Sequence, residues 1–238
     1  MAASPTSAKG IVPRLELDWA ERYGLTAGIT TAAGGYSPGP GVPDQWAALR
    51  QEFQPAFPAT VFGRQVHGRA VCWHDALPDG WLIVDATDGH ATAQAGVLLT
   101  ISVADCTPVY LADPTRGALA LLHAGWRGTA ARILETGVAL LVERGGSDVS
   151  DIVMHCGVAI CGACYEVGSE VAEALGGSPL SGKTHVDIRA VLARQAEALG
   201  VKQVSVSPFC TAHDPGFHSH RGSQGNGGRM IAYLGRAP

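Results

Sequence analysis

Residues 96–128 read GVLLTISVADCTPVYLADPTRGALALLHAGWRG, and their pattern decides the fold class. Three apolar runs, GVLLTISVA, PVYLAD and GALALLHA, are short and bounded by Gly, Pro or Asp, the pattern expected of strands. Outward from them, TVFGRQV, RAVCW and WLIVDA upstream and DIVMHCG and KQVSVSP downstream have the same character. At least one sheet is therefore expected in the middle of the chain.

Three segments read as helices. From Thr129 to Glu143, Ile133, Leu134, Val138, Leu141 and Val142 fall on one stripe, with Arg132, Glu135 and Glu143 outside it and Gly145-Gly146 as the stop. Tyr165 to Leu175 ends at Gly176-Gly177, and Asp187 to Leu199 opens on an N-cap-type Asp and closes at Gly200. Strands come first and helices then alternate with strands, which predicts a mixed-sheet α/β (α+β) domain rather than a regular βαβ repeat. Residues 34–45 (GGYSPGPGVPDQ) read as a Gly/Pro-rich connector. Residues 1–13 read as a flexible leader, and 14–238 as a single domain.

The bulk composition narrows the class of partner. With 46% hydrophobic and 16% charged residues, the chain can build a packed core. A net charge of −4 and only three lysines, Lys9, Lys183 and Lys202, leave no broad basic face for nucleic acid. No run approaches a membrane span, and MAASPTSAKG lacks the charged and apolar regions of a secretory signal, so a cytoplasmic protein acting on small molecules is expected. Six cysteines in a chain of 238 residues suit free thiols or metal ligands better than a disulfide scaffold.

Three motifs can carry chemistry: GRQVHG (63–68), VADCTPV (103–109) and LLHAGWRG (121–128). Each sets a metal ligand or nucleophile at the end of an apolar strand, where a side chain is held rigidly yet faces a cleft. His67, Cys106 and His123 make a ligand set for zinc with the fourth tetrahedral position open, which is a catalytic pattern. Copper is the alternative ion, since Cys and His bind both. The plain alternative is that each residue is packed and inert. Asp105 is a candidate for proton transfer or for orienting a ligand.

Two further groups stand out. Cys161-Gly-Ala-Cys164 is a CxxC near Cys156, but no second CxxC completes a four-cysteine site, so a Gly-rich turn with small buried thiols is the favoured reading. The stretch 209–229 carries Cys210, His213, His218, His220, Arg221 and Arg229. Its histidines read as solvated, whereas Arg221 and Arg229, with Arg127, offer planar guanidinium groups for a phosphate or carboxylate.

Taken in order, QVHG, ADCTPVYLADP, HAGWRG, YEVGSEV and the closing CT, SHR and GR resemble the multicopper polyphenol oxidase (laccase-domain) family, also called the YfiH-like or peptidoglycan editing factor family. The resemblance runs from about Gly28 to Leu234. It implies a layered α/β/β/α fold of mixed sheets, the CNF/YfiH-type cysteine-hydrolase fold shared with a bacterial deamidase toxin. It also implies a zinc held by His67, Cys106 and His123, and purine nucleoside phosphorylase activity on adenosine, inosine and methylthioadenosine, together with adenosine deamination. Cys106, His123 and Asp105 then serve as catalytic residues, with Gln65, Arg127, Tyr165, Arg221 and Arg229 binding nucleoside and phosphate. The protein is expected to act as a monomer or weak homodimer. Where the family carries an Arg in its early motif this chain has Ala32, and the IGP before YEVG reads AIC, departures that fall on substrate contacts. Rival readings are a metal-free hydrolase with Cys106 as nucleophile and His123 as base acting on an amide of a cell-wall precursor, a polyphenol oxidase as the family name suggests, and a zinc-stabilised binding protein without turnover.

Overall fold

The computed structural model describes residues 12–36, 44–178 and 182–238. Two six-stranded sheets hold the chain. The first contains β1 (Arg14–Glu16), β2 (Thr26–Thr30), β3 (Ala59–Arg64), β5 (Gly80–Asp85), β7 (Val97–Val103) and β14 (Met230–Gly235), in the order β1-β2-β14-β7-β3-β5. The second contains β4 (Val71–His74), β6 (Gly89–Thr92), β8 (Thr107–Asp113), β9 (Ala118–Ala124), β10 (Val153–Cys156) and β13 (Gln203–Val206), in the order β13-β10-β8-β9-β6-β4. Both are mixed: β3 runs parallel to β5 and β7, while β14 is antiparallel to β7 and β2.

Side-chain alternation creates the layers. Along β9, Leu119 and Leu121 point into a core shared with Leu99 and Ile101 of β7, while Ala118, Ala120 and Leu122 face Leu134 and Leu141 on the other side. Along β14, Ala232 and Leu234 join the central core, and Ile231 and Tyr233 pack with Trp46 and Leu49 of α2 (Asp44–Phe53). Period-two alternation with both faces covered explains why these strands read as continuous apolar runs. The order from outside is α2, first sheet, second sheet, and then α4 (Ile133–Glu143) with α6 (Ile188–Leu199), the expected α/β/β/α arrangement.

Local chemistry sets the turns. Asp113 Oδ1 accepts the N–H groups of Thr115 and Arg116, and Gly117 takes φ +72°, closing the β8–β9 hairpin. Asp187 caps α6 by accepting the Arg189 N–H, and Gly200 ends it in the left-handed region, as the sequence predicts.

The helix expected over Thr129–Glu143 is two: α3 (Trp126–Ala130) and α4, separated where Arg132 turns left-handed at φ 68°. Ile133, Leu134, Val138 and Leu141 are buried as expected, but Val142 is 36% exposed and lies off the stripe. The segment Tyr165–Leu175 splits too. Tyr165 is not helical, β11 (Glu166–Val167) pairs with β12 (Thr184–His185), and only α5 (Ser169–Ala174) is helix, because the ladder to β12 competes with helix extension. The strands β1, β2, β6 and β14 and the helices α1 (Trp19–Tyr23) and α2 are further elements beyond those read from the sequence.

Most of the expected leader lies outside the described residues. Its last two residues are held in place: Val12 is buried, and the carbonyl of the exposed Pro13 accepts the Thr31 N–H. Of the expected loop 34–45, residues 37–43 are outside the described residues, Asp44 already begins α2, and Tyr36 exchanges backbone hydrogen bonds with Arg229. Among the described residues no helix is long and apolar enough to cross a membrane.

Candidate active site

The site lies where chain passes between the two sheets. β7 of the first sheet ends at Val103 and β8 of the second begins at Thr107, so Cys106 sits in a three-residue crossing. His67 follows β3, which runs parallel to β7 and therefore ends on the same side. His123 is near the end of β9, opposite Pro108.

These three meet: ligand atoms of His67, Cys106 and His123 all lie within 4.8 Å of one another. The imidazoles cross edge to face with centroids 4.9 Å apart. Gly125 permits this closeness, because a Cβ there would stand 3.0 Å from the Cys106 sulfur and 3.3 Å from the His67 ring.

Asp88 organises the group. It is fully buried in the connection between β5 and β6. Its carboxylate accepts the backbone N–H groups of Val66 (3.2 Å), His67 (2.9 Å) and Gly68 (2.7 Å), which converge on it because His67 takes φ 61°. Its Oδ1 also accepts from His123 Nδ1 at 2.9 Å. That bond fixes the His123 tautomer and leaves Nε2 free for a ligand, the arrangement by which carboxylates orient metal-binding histidines.

The electrostatics follow from this packing. Burial pushes the Cys106 thiol up, but the charge of His123 and hydrogen bonds from His123 and His67 outweigh it and bring the thiol down to about 6. Burial lowers His123, yet the facing Cys106 thiolate and the bond to Asp88 raise it to about 9. Burial opposes ionisation of Asp88 too, but the His123 hydrogen bond and the backbone N–H groups leave it below its ordinary value. A thiolate and two imidazoles, one of them pre-oriented, fit a soft or borderline divalent ion.

A cleft of about 520 Å³ opens over the group. Gln65, Asp105, Arg127, Tyr165, Arg221 and Arg229 all line it. Gln65 ties both amide atoms to Ser102, donating to its carbonyl and accepting its N–H. Asp105 is held at φ 81°, its carboxylate accepting the Thr211 hydroxyl (2.5 Å) and the Arg221 N–H (2.7 Å). Both oxygens are thus engaged, which suits an orienting role. The Arg221 guanidinium lies over the Tyr165 ring and donates to the Glu166 carbonyl. Arg127 stacks on Trp126 with 4.3 Å to the centroid. Among the described residues, Arg127, Arg221 and Arg229 form no ion pair with a carboxylate, so three guanidinium groups line the cleft without a direct carboxylate partner.

Sequence reasoning missed Asp88, Tyr36, Phe62 and Trp126. TDGH carries no spacing that distinguishes Asp88 from a turn residue, and the aromatic residues matter only through a pocket assembled from distant elements. Trp126 was within the HAGWRG motif and was the one open to notice. His220 also lines the cleft, whereas His218 packs between Gly35 and Gly228. Cys156 is buried in β10, its thiol pushed up to about 12 by burial. Cys161 and Cys164 are not the buried thiols expected: both are half-buried and lie beside Cys210 and His213.

Comparison with known proteins gives consistent relatives. The family described as "Multi-copper polyphenol oxidoreductase laccase" matches residues 41–237. A purine nucleoside phosphorylase of Deinococcus radiodurans is 36% identical over 94% of this chain and 94% of its own length. The purine nucleoside phosphorylase YlmD of Bacillus subtilis is 36% identical over 63% of this chain, a match spanning 59% of that protein. The crystal structure of YlmD from Geobacillus stearothermophilus superposes with a TM-score of 0.83 at 32% identity, covering 97% of this chain and 98% of that one.

Proposed function

This chain belongs to the multi-copper polyphenol oxidoreductase laccase family, and on that premise we propose that it is a metal-dependent purine nucleoside phosphorylase. The observation that carries the reading is the convergence of His67, Cys106 and His123 beneath a cleft lined by three arginines that form no ion pair among the described residues. The relatives named for this activity support the same assignment.

His67, Cys106 and His123 would hold zinc, with copper as the alternative, and their donor chemistry suits either. When bound, such an ion supplies Lewis acidity at an open coordination position. Arg127, Arg221 and Arg229 bind and orient phosphate by charge-assisted hydrogen bonds. Tyr165, with Arg221 against its ring, offers an aromatic face for the base. Asp105 holds the Thr211 hydroxyl and the Arg221 backbone N–H in place, setting the cleft wall. Phosphorolysis breaks the bond between ribose C1′ and the base nitrogen, joins a phosphate oxygen to C1′ and releases the base. The finer proposal extends this to adenosine, inosine and methylthioadenosine, and to deamination, in which water replaces the adenine amino group and ammonia leaves.

Protein of known metal content, incubated with adenosine, should give adenine and ribose 1-phosphate only when phosphate is present, and inosine without it. Cys106→Ala and His123→Ala should lose this ion and the turnover together; full activity in either variant rules the scheme out. A second reading, a metal-free Cys-His hydrolase, is favoured by the Asp88–His123–Cys106 relay, which resembles a thiolate activated by an oriented imidazole. Retained turnover of metal-stripped protein, abolished by thiol alkylation, would select it.

A further inference from the structure

Beside the cleft, two loops bring together a second set of donors. β10 and β13 are parallel neighbours, so the segments leaving their C-terminal ends run side by side. Ala159 bridges Cys210, the Thr211 N–H donates to the Ala159 carbonyl, and Ser207 donates to Cys156. The first loop carries Cys161 and Cys164, and the second carries Cys210 and His213. In sequence these are Cys-x-x-Cys and Cys-x-x-His, two pairs with the same spacing, of which the second is hidden by its different end residue.

One donor atom from each of the four lies within 4.8 Å of all the others. The Cys164 sulfur is 3.4 Å from His213 Nδ1. A backbone group already holds one of the sulfurs: the Cys161 N–H donates to the Cys210 sulfur at 3.2 Å. The turn is held by Cys164 and Tyr165 N–H groups donating to the Cys161 carbonyl, both at 3.0 Å. Tetrahedral zinc, with bonds of about 2.0–2.3 Å, sets its donors about 3.5–3.8 Å apart, so small rotations of these side chains complete the shell.

We propose that Cys161, Cys164, Cys210 and His213 form a structural zinc site. The set is closed, with three sulfurs and one nitrogen filling all four positions, unlike the three-ligand group in the cleft. The three thiols bind as thiolates and release their protons to solvent. The ion clasps the two loops beside the cleft: Tyr165, which lines it, follows Cys164, and Thr211, which holds Asp105, follows Cys210. The zinc therefore fixes one wall of the cleft without taking part in the chemistry.

The test is read in a Cys106→Ala background, so that metal in the cleft does not enter the count. Protein grown with zinc and desalted without chelator should keep about one equivalent of zinc per chain by mass spectrometry. Adding Cys164→Ser or His213→Ala should remove it and lower the melting temperature, whereas His213→Cys should retain it. His213 is exposed, so its replacement does not threaten folding. Cobalt exchanged into the same protein should show thiolate-to-metal charge-transfer absorption that Cys164→Ser abolishes. Folded Cys106→Ala protein without zinc, or zinc content unchanged by both Cys164→Ser and His213→Ala, overturns the proposal. So does a disulfide among Cys161, Cys164 and Cys210 in the untreated protein, seen as two missing thiols out of the six of the native chain after denaturation.

Discussion

His123 Nδ1 and Asp88 Oδ1 stand 2.9 Å apart, and the carboxylate that makes this bond also holds His67, so it anchors two of the three histidines that line the cleft. The same Oδ1 accepts the backbone N–H of His67, so the imidazole on β9 and the loop after β3 share a single anchor. Neither ligand can shift without disturbing the other.

Asp88→Asn tests that anchor. The amide presents an NH2 group to backbone N–H donors and no longer selects the His123 tautomer. Metal affinity in the cleft should fall about 10–100-fold, the range for loss of such an outer partner. Competition with a chromophoric chelator measures it, and an unchanged affinity would show that Asp88 is only packing.

The Cys106 thiol should titrate far below its ordinary range. Its folded value of about 6 lies under that of a free thiol, so its ionisation stabilises the fold above the unfolded value and loses that contribution as pH falls through about 6. In chelator-treated protein, alkylation of Cys106, followed by peptide mapping, should rise with a midpoint near 6. In Asp88→Asn the midpoint should move upward, because a less firmly held His123 cation stabilises the thiolate less. A midpoint in the ordinary thiol range would contradict the charge pair.

Arg127 separates phosphate binding from the rest of the chemistry. Its side chain stacks on Trp126 at the cleft wall and forms no ion pair among the described residues. Losing one charge-assisted contact costs about 1.5–3 kcal/mol, so Arg127→Ala should raise KM for phosphate roughly 10–100-fold. Phosphate-independent deamination should be nearly unaffected; equal damage to both reactions would assign Arg127 a general structural role.

Leu121 reports on the layer between the sheets. It is fully buried in the central core, and Leu121→Ala should cost about 2–5 kcal/mol in urea unfolding. Metal content per folded molecule should be preserved. A loss below about 0.5 kcal/mol would mean that the two sheets do not pack as described.

The strands of residues 96–124 were legible because their apolar runs end at Asp, Pro and Gly, and both faces of each are buried. β14 was not, although it is central in its sheet: MIAYLG is six residues long and takes its place only by pairing with β7 and β2, far away in sequence. The break at Arg132 was equally hidden, since no Gly or Pro stands between Thr129 and Ile133 and only the left-handed φ divides the helix.

The sequence by itself determined the class of fold, the buried stripe of α4, the two ends of α6, and which residue types could act, because breakers, caps and ligand chemistry are local properties. Only the tertiary structure decided which of those residues share a site. Asp88 joins His67 and His123 through hydrogen bonds across chain separations of 21 and 35 residues, and the two cysteine loops meet because β10 and β13 lie parallel. Local spacing cannot encode such distances; they are set when two sheets stack and bring their crossing segments to the same end.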